Sequence, residues 1–165
     1  MLKANPPRYE RRNVTFFLSA LVVAVVDQLS KTGIRFALAT GESLFEFGFF
    51  RITRIHNTGA AFGLFQDQSF FLAIFALVGV VFLLLFGLLF ARRFAFLDSR
   101  LGKLALGLVL GGTAGNLVDR LRLGYVIDFI DIGIWPAFNF ADSAIVVGSI
   151  VLAYFFLTGP KDTGV

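Results

Sequence analysis

Asp27, Asn116, Asp119, Asn139 and Asp142 each lie close to the boundary of a long apolar run, and Asp128 falls in the short connection between two of those runs. A carboxylate in or beside hydrocarbon is costly, and it persists where it is paired or where it does chemistry. Spacing sorts these acids. Asp27 and Lys31 stand at i and i+4, share one helix face and can pair. Asp119 adjoins Arg120 and has Arg122 close by, so it too can be a neutralised structural ion. Asp128 and Asp142 have no basic residue within one helical turn. Two such carboxylates brought together share a proton, because like charges at close range cannot both ionise. One then takes a proton from a water that attacks a peptide carbonyl, while the other polarises that carbonyl and donates to the leaving nitrogen. Aspartic peptidase chemistry is one use of such a pair. A proton relay in a transporter is another, and spacing alone does not choose between them.

The elements that must position these groups are membrane spans. Of 165 residues, 57% are hydrophobic, 16% are charged and 22 are Phe, with a mean hydropathy of +0.81. Soluble domains carry charge on about a quarter of their residues. A hydrocarbon core is crossed by about 20 apolar residues in a helix. Phe70 to Phe90 meets that with no charge at all. Val14 to Val26 continues past Asp27 and Lys31 towards Ala39, Leu104 to Val118 ends at Asp119-Arg120, and Phe138 to Leu157 holds only Asn139 and Asp142 as strongly polar members. The fold class read from this is an all-α membrane protein, a single domain over residues 1–165. It has a four-transmembrane-helix bundle, with spans at about 14–37, 69–90, 103–121 and 138–158, and a small β-sheet on the outer face from about 41–66.

Basic residues orient it. Lys3, Arg8, Arg11 and Arg12 precede the first span; Arg92, Arg93, Arg100 and Lys103 join the second to the third; Lys161 follows the fourth. The opposite loops carry Arg51 and Arg54, with Arg35, Arg120 and Arg122 at span ends. The bias predicts both termini in the cytoplasm. The net charge of +4 then reflects topology, and no nucleic-acid partner is expected without a basic face on a soluble domain. The N-terminal stretch is like a secretory signal, but its apolar run continues into Asp27-Gln28-Leu29-Ser30-Lys31 and reads as a retained first span. There are no cysteines, which excludes disulfides and thiolate metal sites. The single histidine, His56, cannot assemble a zinc site alone and reads as a loop residue.

Between the first two spans, Phe45, Phe47 and Phe49 alternate with Glu46 and Gly48, and Arg51, Thr53 and Ile55 alternate with Ile52 and Arg54. Period two predicts strands. Asn57-Thr58-Gly59-Ala60-Ala61-Phe62 predicts a turn. In the second outer connection, Val126, Asp128 and Ile130 share a face if the chain is extended, and Trp135-Pro136 suits a headgroup-level anchor. Gly107, Gly111 and Gly115 form a small-residue stripe that lets another helix approach closely, and Asn116 and Asp119 stand just beyond its outer end.

Five motifs occur in order: Asp27-Gln28-Leu29-Ser30-Lys31, Asn57-Thr58-Gly59-Ala60-Ala61-Phe62, Gly115-Asn116-Leu117-Val118-Asp119-Arg120, Val126-Ile127-Asp128-Phe129 and Phe138-Asn139-Phe140-Ala141-Asp142-Ser143. Together they resemble the bacterial lipoprotein signal peptidases, signal peptidase II, from about Asp27 to Ser143. The resemblance implies an intramembrane aspartic endopeptidase of the bacterial inner membrane, multi-pass, with its site near the outer face. It would remove the signal peptide from diacylglyceryl-modified prolipoproteins, cutting before the lipidated cysteine. By motif position Asp128 and Asp142 would be the catalytic pair, and Asn57, Asn116, Arg120 and Asn139 would line the substrate site. Asp27 and Lys31 would support it, and Asp119, the rival for the first catalytic position, ranks second because Arg120 adjoins it. No metal or other cofactor is called for. The expected partners are the prolipoprotein and membrane lipids, and the expected state is a monomer. Phe45 to Phe50, with Phe62 and Phe65, would clamp substrate from above, and the compact Asp128–Asp142 connection would keep the pair intact. The presenilin-type Gly-x-Gly-Asp signature is absent. A proton-coupled transporter, an assembly factor or a non-catalytic lipoprotein-binding subunit are the readings that compete.

Overall fold

Backbone polar groups find no partner in hydrocarbon, so an apolar run long enough to cross must satisfy its own hydrogen bonds as a helix. The computed structural model describes residues 8–60 and 64–158, with the side chains of residues 8–12 excepted. It contains α1 (Arg8–Ala37), α2 (Ser69–Leu85), α3 (Arg100–Leu123) and α4 (Phe140–Thr158), and all four belong to helices long and apolar enough to span a membrane. α2 runs on through a π turn, Phe86–Phe90, and a 3-10 turn, Ala91–Arg93.

α3 is the centre of the bundle. Its span is 61% buried within the protein, against 11% for each of the other three, because its small residues let both neighbours close on its backbone. The predicted stripe faces α1: a methyl group on Gly111 would run into the Ala20 carbonyl oxygen, and one on Gly115 would meet Asp27 Oδ2 at 2.6 Å. Gly112, on the adjoining face, does the same for α4, where a methyl would run into the Ala141 carbonyl oxygen. At the end remote from the sheet, Phe16, Ala20, Ala91, Leu106 and Leu110 form the apolar core. There the fully buried Lys103 donates to the Gly87 carbonyl at 2.6 Å, within a π turn whose bonding skips the ordinary i→i−4 pattern.

At the other end lies a three-stranded antiparallel sheet, ordered β1 (Ser43–Phe47), β2 (Phe50–Asn57), β3 (Val126–Asp131). Gly48, at φ +59°, opens the two-residue turn that joins β1 to β2. The outer segment expected to form a sheet by itself thus takes its third strand from the connection before α4. Strict alternation also fails in β2: Thr53 is buried while Arg51 and Ile55 are exposed, because the register shifts between Ile52 and Ile55 and a bulge re-aims side chains. β3 is buried on both faces except at Ile130, since Phe138 bridges to Ile130 along its free edge. His56 lies in β2, paired with Ile127, and not in a loop. It stacks on Tyr125 with ring centroids 3.8 Å apart. Burial, and then Arg54 and Arg35, lower its pKa. Of the predicted turn, Ala61 and Phe62 lie outside the described residues.

The α1–α3 approach predicts a test. Gly111→Ala drives a methyl into backbone, so thermal unfolding in detergent should register a loss of about 1–3 kcal/mol. Gly79→Ala, whose nearest neighbour would be Thr113 Cγ2 at 3.9 Å, should be close to neutral. Equal effects would mean that the close crossing is not what sets stability.

Candidate active site

A buried ammonium organises the sheet end of the bundle. Lys31 is 1% exposed, and an ammonium carries three donors and no acceptor. All three are used: Asp27 Oδ2 at 2.8 Å, Asp119 Oδ2 at 3.0 Å and Asn116 Oδ1 at 2.8 Å. The i, i+4 pair with Asp27 is the one its spacing predicts. The partner of Asp119 is not. It is Lys31 on α1, and neither Arg120 nor Arg122, because adjacent helix positions point away from one another. Asp119 is also held by Gln28 Nε2 at 2.9 Å and by the Ile127 N–H at 3.1 Å. Asp27 Oδ1 accepts the Ala141 N–H at 3.0 Å. One ion cluster therefore ties α1, α3, β3 and α4 together.

Around it stand three amides, each turned one way by an obligate donor. Asn116 must present Oδ1 to the ammonium, so its Nδ2 donates to Asp142 Oδ1 at 2.8 Å. Asn139 precedes α4 and accepts the Asp142 N–H on Oδ1 at 2.9 Å, while Asp142 Oδ2 accepts the Asn139 N–H at 3.2 Å. That reciprocal pair is a capping box, and it turns Asn139 Nδ2 towards Asp128 Oδ1 at 2.7 Å. Asn57, at the end of β2, accepts the Gly59 N–H on Oδ1 at 2.9 Å and so offers Nδ2 to Asp128 Oδ2 at 2.9 Å. All four carboxyl oxygens of Asp128 and Asp142 thus receive a nitrogen donor. None of these bonds offers an acceptor, so a proton carried by the pair is directed to the other carboxyl, to water or to a substrate.

Both aspartates open onto a cleft of about 460 Å³, whose walls include Ile55, Trp135, Phe138, Ile145 and Val146. Arg120 lines it too and donates to the Gly59 carbonyl at 3.0 Å, fixing the start of the loop that leaves β2. Burial, and then the charge of Asp142, raise the pKa of Asp128 to about 7. Among the described residues no group of three His, Cys, Asp or Glu side chains could hold a metal ion.

All nine residues singled out in the sequence meet in this one network: Asp27, Lys31, Asn57, Asn116, Asp119, Arg120, Asp128, Asn139 and Asp142. Gln28 was missed, although it stands in the first motif and bonds Asp119, the Gly115 carbonyl and Asp27. The aromatic clamp takes a different place. Phe45, Phe47 and Phe49 are exposed on the hairpin and do not line the cleft. Phe65 belongs to a separate apolar groove with Phe71, Leu72 and Phe75, and Phe62 lies outside the described residues.

The state of Asp128 has a measurable consequence. Its folded pKa of about 7 exceeds the ordinary 3.8, so between those values the folded chain binds more protons than the unfolded one. Stability then falls as pH rises from about 4 to 7. Asp128→Asn abolishes this term but sets an NH2 against the donors of Asn57 or Asn139. Its thermal stability should lie below wild type at pH 5, and the gap should close or reverse by pH 8, by on the order of 2–4 kcal/mol. A gap that does not change with pH would show that Asp128 is ionised throughout.

Known proteins resemble most of the chain. The profile of the family Signal peptidase (SPase) II matches residues 19–158. The lipoprotein signal peptidase of Dehalococcoides mccartyi strain BAV1 is 45% identical over 93% of this chain and 95% of its own length. That of Moorella thermoacetica is 47% identical over 90% of this chain and 97% of its own. A bacterial membrane enzyme solved by the in meso method at 2.3 Å resolution superposes with a TM-score of 0.78, at 31% identity, covering 92% of this chain and 94% of that one.

Proposed function

From the premise that the chain belongs to the signal peptidase II family, and is thus a protease that removes signal peptides from lipoproteins, we propose that it works as an aspartic endopeptidase with Asp128 and Asp142 as the reacting pair. The observation that carries this is the donor pattern. Two carboxyl groups face one cleft, and all four of their oxygens receive fixed nitrogen donors. Asp128, with its raised pKa, holds the proton at rest. Asp142 is the carboxylate that takes a proton from water as the water oxygen bonds to the scissile carbonyl carbon. Asp128 meanwhile hydrogen-bonds to the carbonyl oxygen and keeps its proton. When the tetrahedral carbon collapses, the carbonyl re-forms and the C–N bond breaks, the leaving nitrogen takes the Asp128 proton, and the proton that Asp142 took from water passes to Asp128, which returns the pair to its starting state. The buried Nε of Arg120 has no partner among the described residues and serves as a further donor to the bound peptide.

The substrate in this reading is a diacylglyceryl-modified prolipoprotein, cut just before the lipidated cysteine. Its acyl chains stay in the bilayer while the peptide enters the cleft, whose apolar wall Ile145–Val146 belongs to a membrane helix. The distribution of basic residues supports both termini in the cytoplasm, which sets the sheet and the pair at the outer face of the inner membrane. The chain acts as a monomer, with the network complete inside one copy.

Two measurements test the pair. Cleavage of a diacylglyceryl-modified prolipoprotein by purified protein in detergent should fall by at least about 1,000-fold in Asp128→Asn and in Asp142→Asn. Asp119→Asn should keep measurable activity, and thermal melts should show each variant folded. An active Asp128→Asn beside an inactive Asp119→Asn would move the role to Asp119. The pH dependence is the second. Deprotonation of Asp128 removes the acid, so kcat/KM should decline as pH rises through about 7. A profile level to pH 9 would contradict its assignment as the resting acid.

A further inference from the structure

On the aspartic reading, we infer that Lys31 is a positioning residue for the reaction: it fixes which way the Asn116 amide faces and thereby keeps a donor, not an acceptor, against Asp142. A primary amide has two nearly isosteric ends, one donating and one accepting. What selects between them at Asn116 is the ammonium 2.8 Å from Oδ1. Asn139 Nδ2 also reaches Asn116 Oδ1, at 3.2 Å, but it lies closer to Asp128 Oδ1, at 2.7 Å, and also contacts the Ile127 carbonyl. Its hold on Asn116 is therefore divided.

Removing the ammonium reverses the local preference. Without the ammonium, Asp27 and Asp119 would share a proton, which leaves one carboxylate on the side of Asn116 that now meets Lys31. It attracts the NH2 end of Asn116. The amide turns, Oδ1 swings to Asp142, and an acceptor faces the carboxylate that must accept water's proton. The remaining charges around Asp142 stay in place: Asp128 on β3 and Arg120 on α3. The substrate's own contacts with the cleft walls are untouched. The loss should therefore appear in kcat and in the acid limb of the pH profile, with KM little changed.

The experiment is a double-mutant cycle on prolipoprotein cleavage, using Lys31→Met, Asn116→Leu and the two combined, each measured from pH 5 to 9 with thermal melts alongside. Expected are a kcat lowered about 10-fold or more at pH 6, an acid limb moved up by about one unit in each single variant, and KM within about two-fold. The combined variant should be no worse than either single one, since both remove the same donor. Additive losses, or an acid limb that does not move in folded Asn116→Leu, would overturn the inference and leave Lys31 as an ion-pair partner only. If Lys31→Met does not fold, the same cycle is run in an Asp119→Asn background, which removes one stranded carboxylate. The aspartic reading fails separately: that outcome is an active Asp128→Asn or Asp142→Asn, whatever the cycle gives.

Discussion

The structure depends on one buried cation. Moving an ammonium out of water costs several kcal/mol even after relaxation, and only close opposite charge with every donor satisfied offsets this. Lys31 meets that condition with two carboxylates and an amide oxygen. Each of its partners passes the constraint on. Asp27 holds the first turn of α4 through the Ala141 N–H, and Asp119 holds β3 through the Ile127 N–H. The elements that carry Asp128 and Asp142 are thus both tied to α1, in addition to the direct bond from Asn139 to Asp128. At the opposite end the buried Lys103 joins α3 to the π turn that continues α2, through the Gly87 carbonyl. The two ends of the bundle are built alike in principle and differ in what they carry.

The geometry around the proposed pair reuses bonds that secondary structure requires anyway. A helix N-terminus leaves N–H groups without partners, and Asn139 and Asp142 satisfy two of them reciprocally. The strand end at Asn57 closes its turn by accepting the Gly59 N–H. In both cases the backbone bond occupies the accepting end of an amide and leaves the donating end for a carboxyl group. Fold stability and the orientation of the site are consequently the same interactions. A substitution at either asparagine cannot alter one without the other.

Local spacing made part of this legible. Lengths of apolar sequence set the four helices, the Gly107–Gly111–Gly115 stripe identified the face that α1 covers, and the Asp27–Lys31 pair follows from i, i+4 geometry. Asn139-x-x-Asp142 ahead of an apolar run is itself a readable helix start. What escaped was whatever depends on distant chain. Asp119 chose Lys31, far away on α1, over the arginines beside it. β3 joined β2 across α2 and α3, which no period within residues 41–66 could announce. The bulge between Ile52 and Ile55 broke the alternation that the β2 residues display on paper. The choice of Asp128 over Asp119 came from motif order and is the reading proposed above; in the structure Asp119 bonds Lys31, Gln28 and the Ile127 N–H, whereas Asp128 opens to the cleft.

Charge balance around the pair completes the logic. Asp27 and Asp119 are matched in formal charge by Lys31 and Arg120, and Asp128 and Asp142 are the two carboxyl groups that face the cleft. With no proton on that pair, two carboxylates would repel in a largely buried pocket; with two, no base would remain. One proton is the state that burial and mutual repulsion favour together, and it is the state a hydrolytic acid–base pair requires. The surrounding asparagines stabilise it without competing for the proton, because each has its accepting oxygen already occupied. Neutral amides with their direction fixed can therefore do what arginines or lysines at the same positions could not: hold two acids close together while leaving their shared proton free to move.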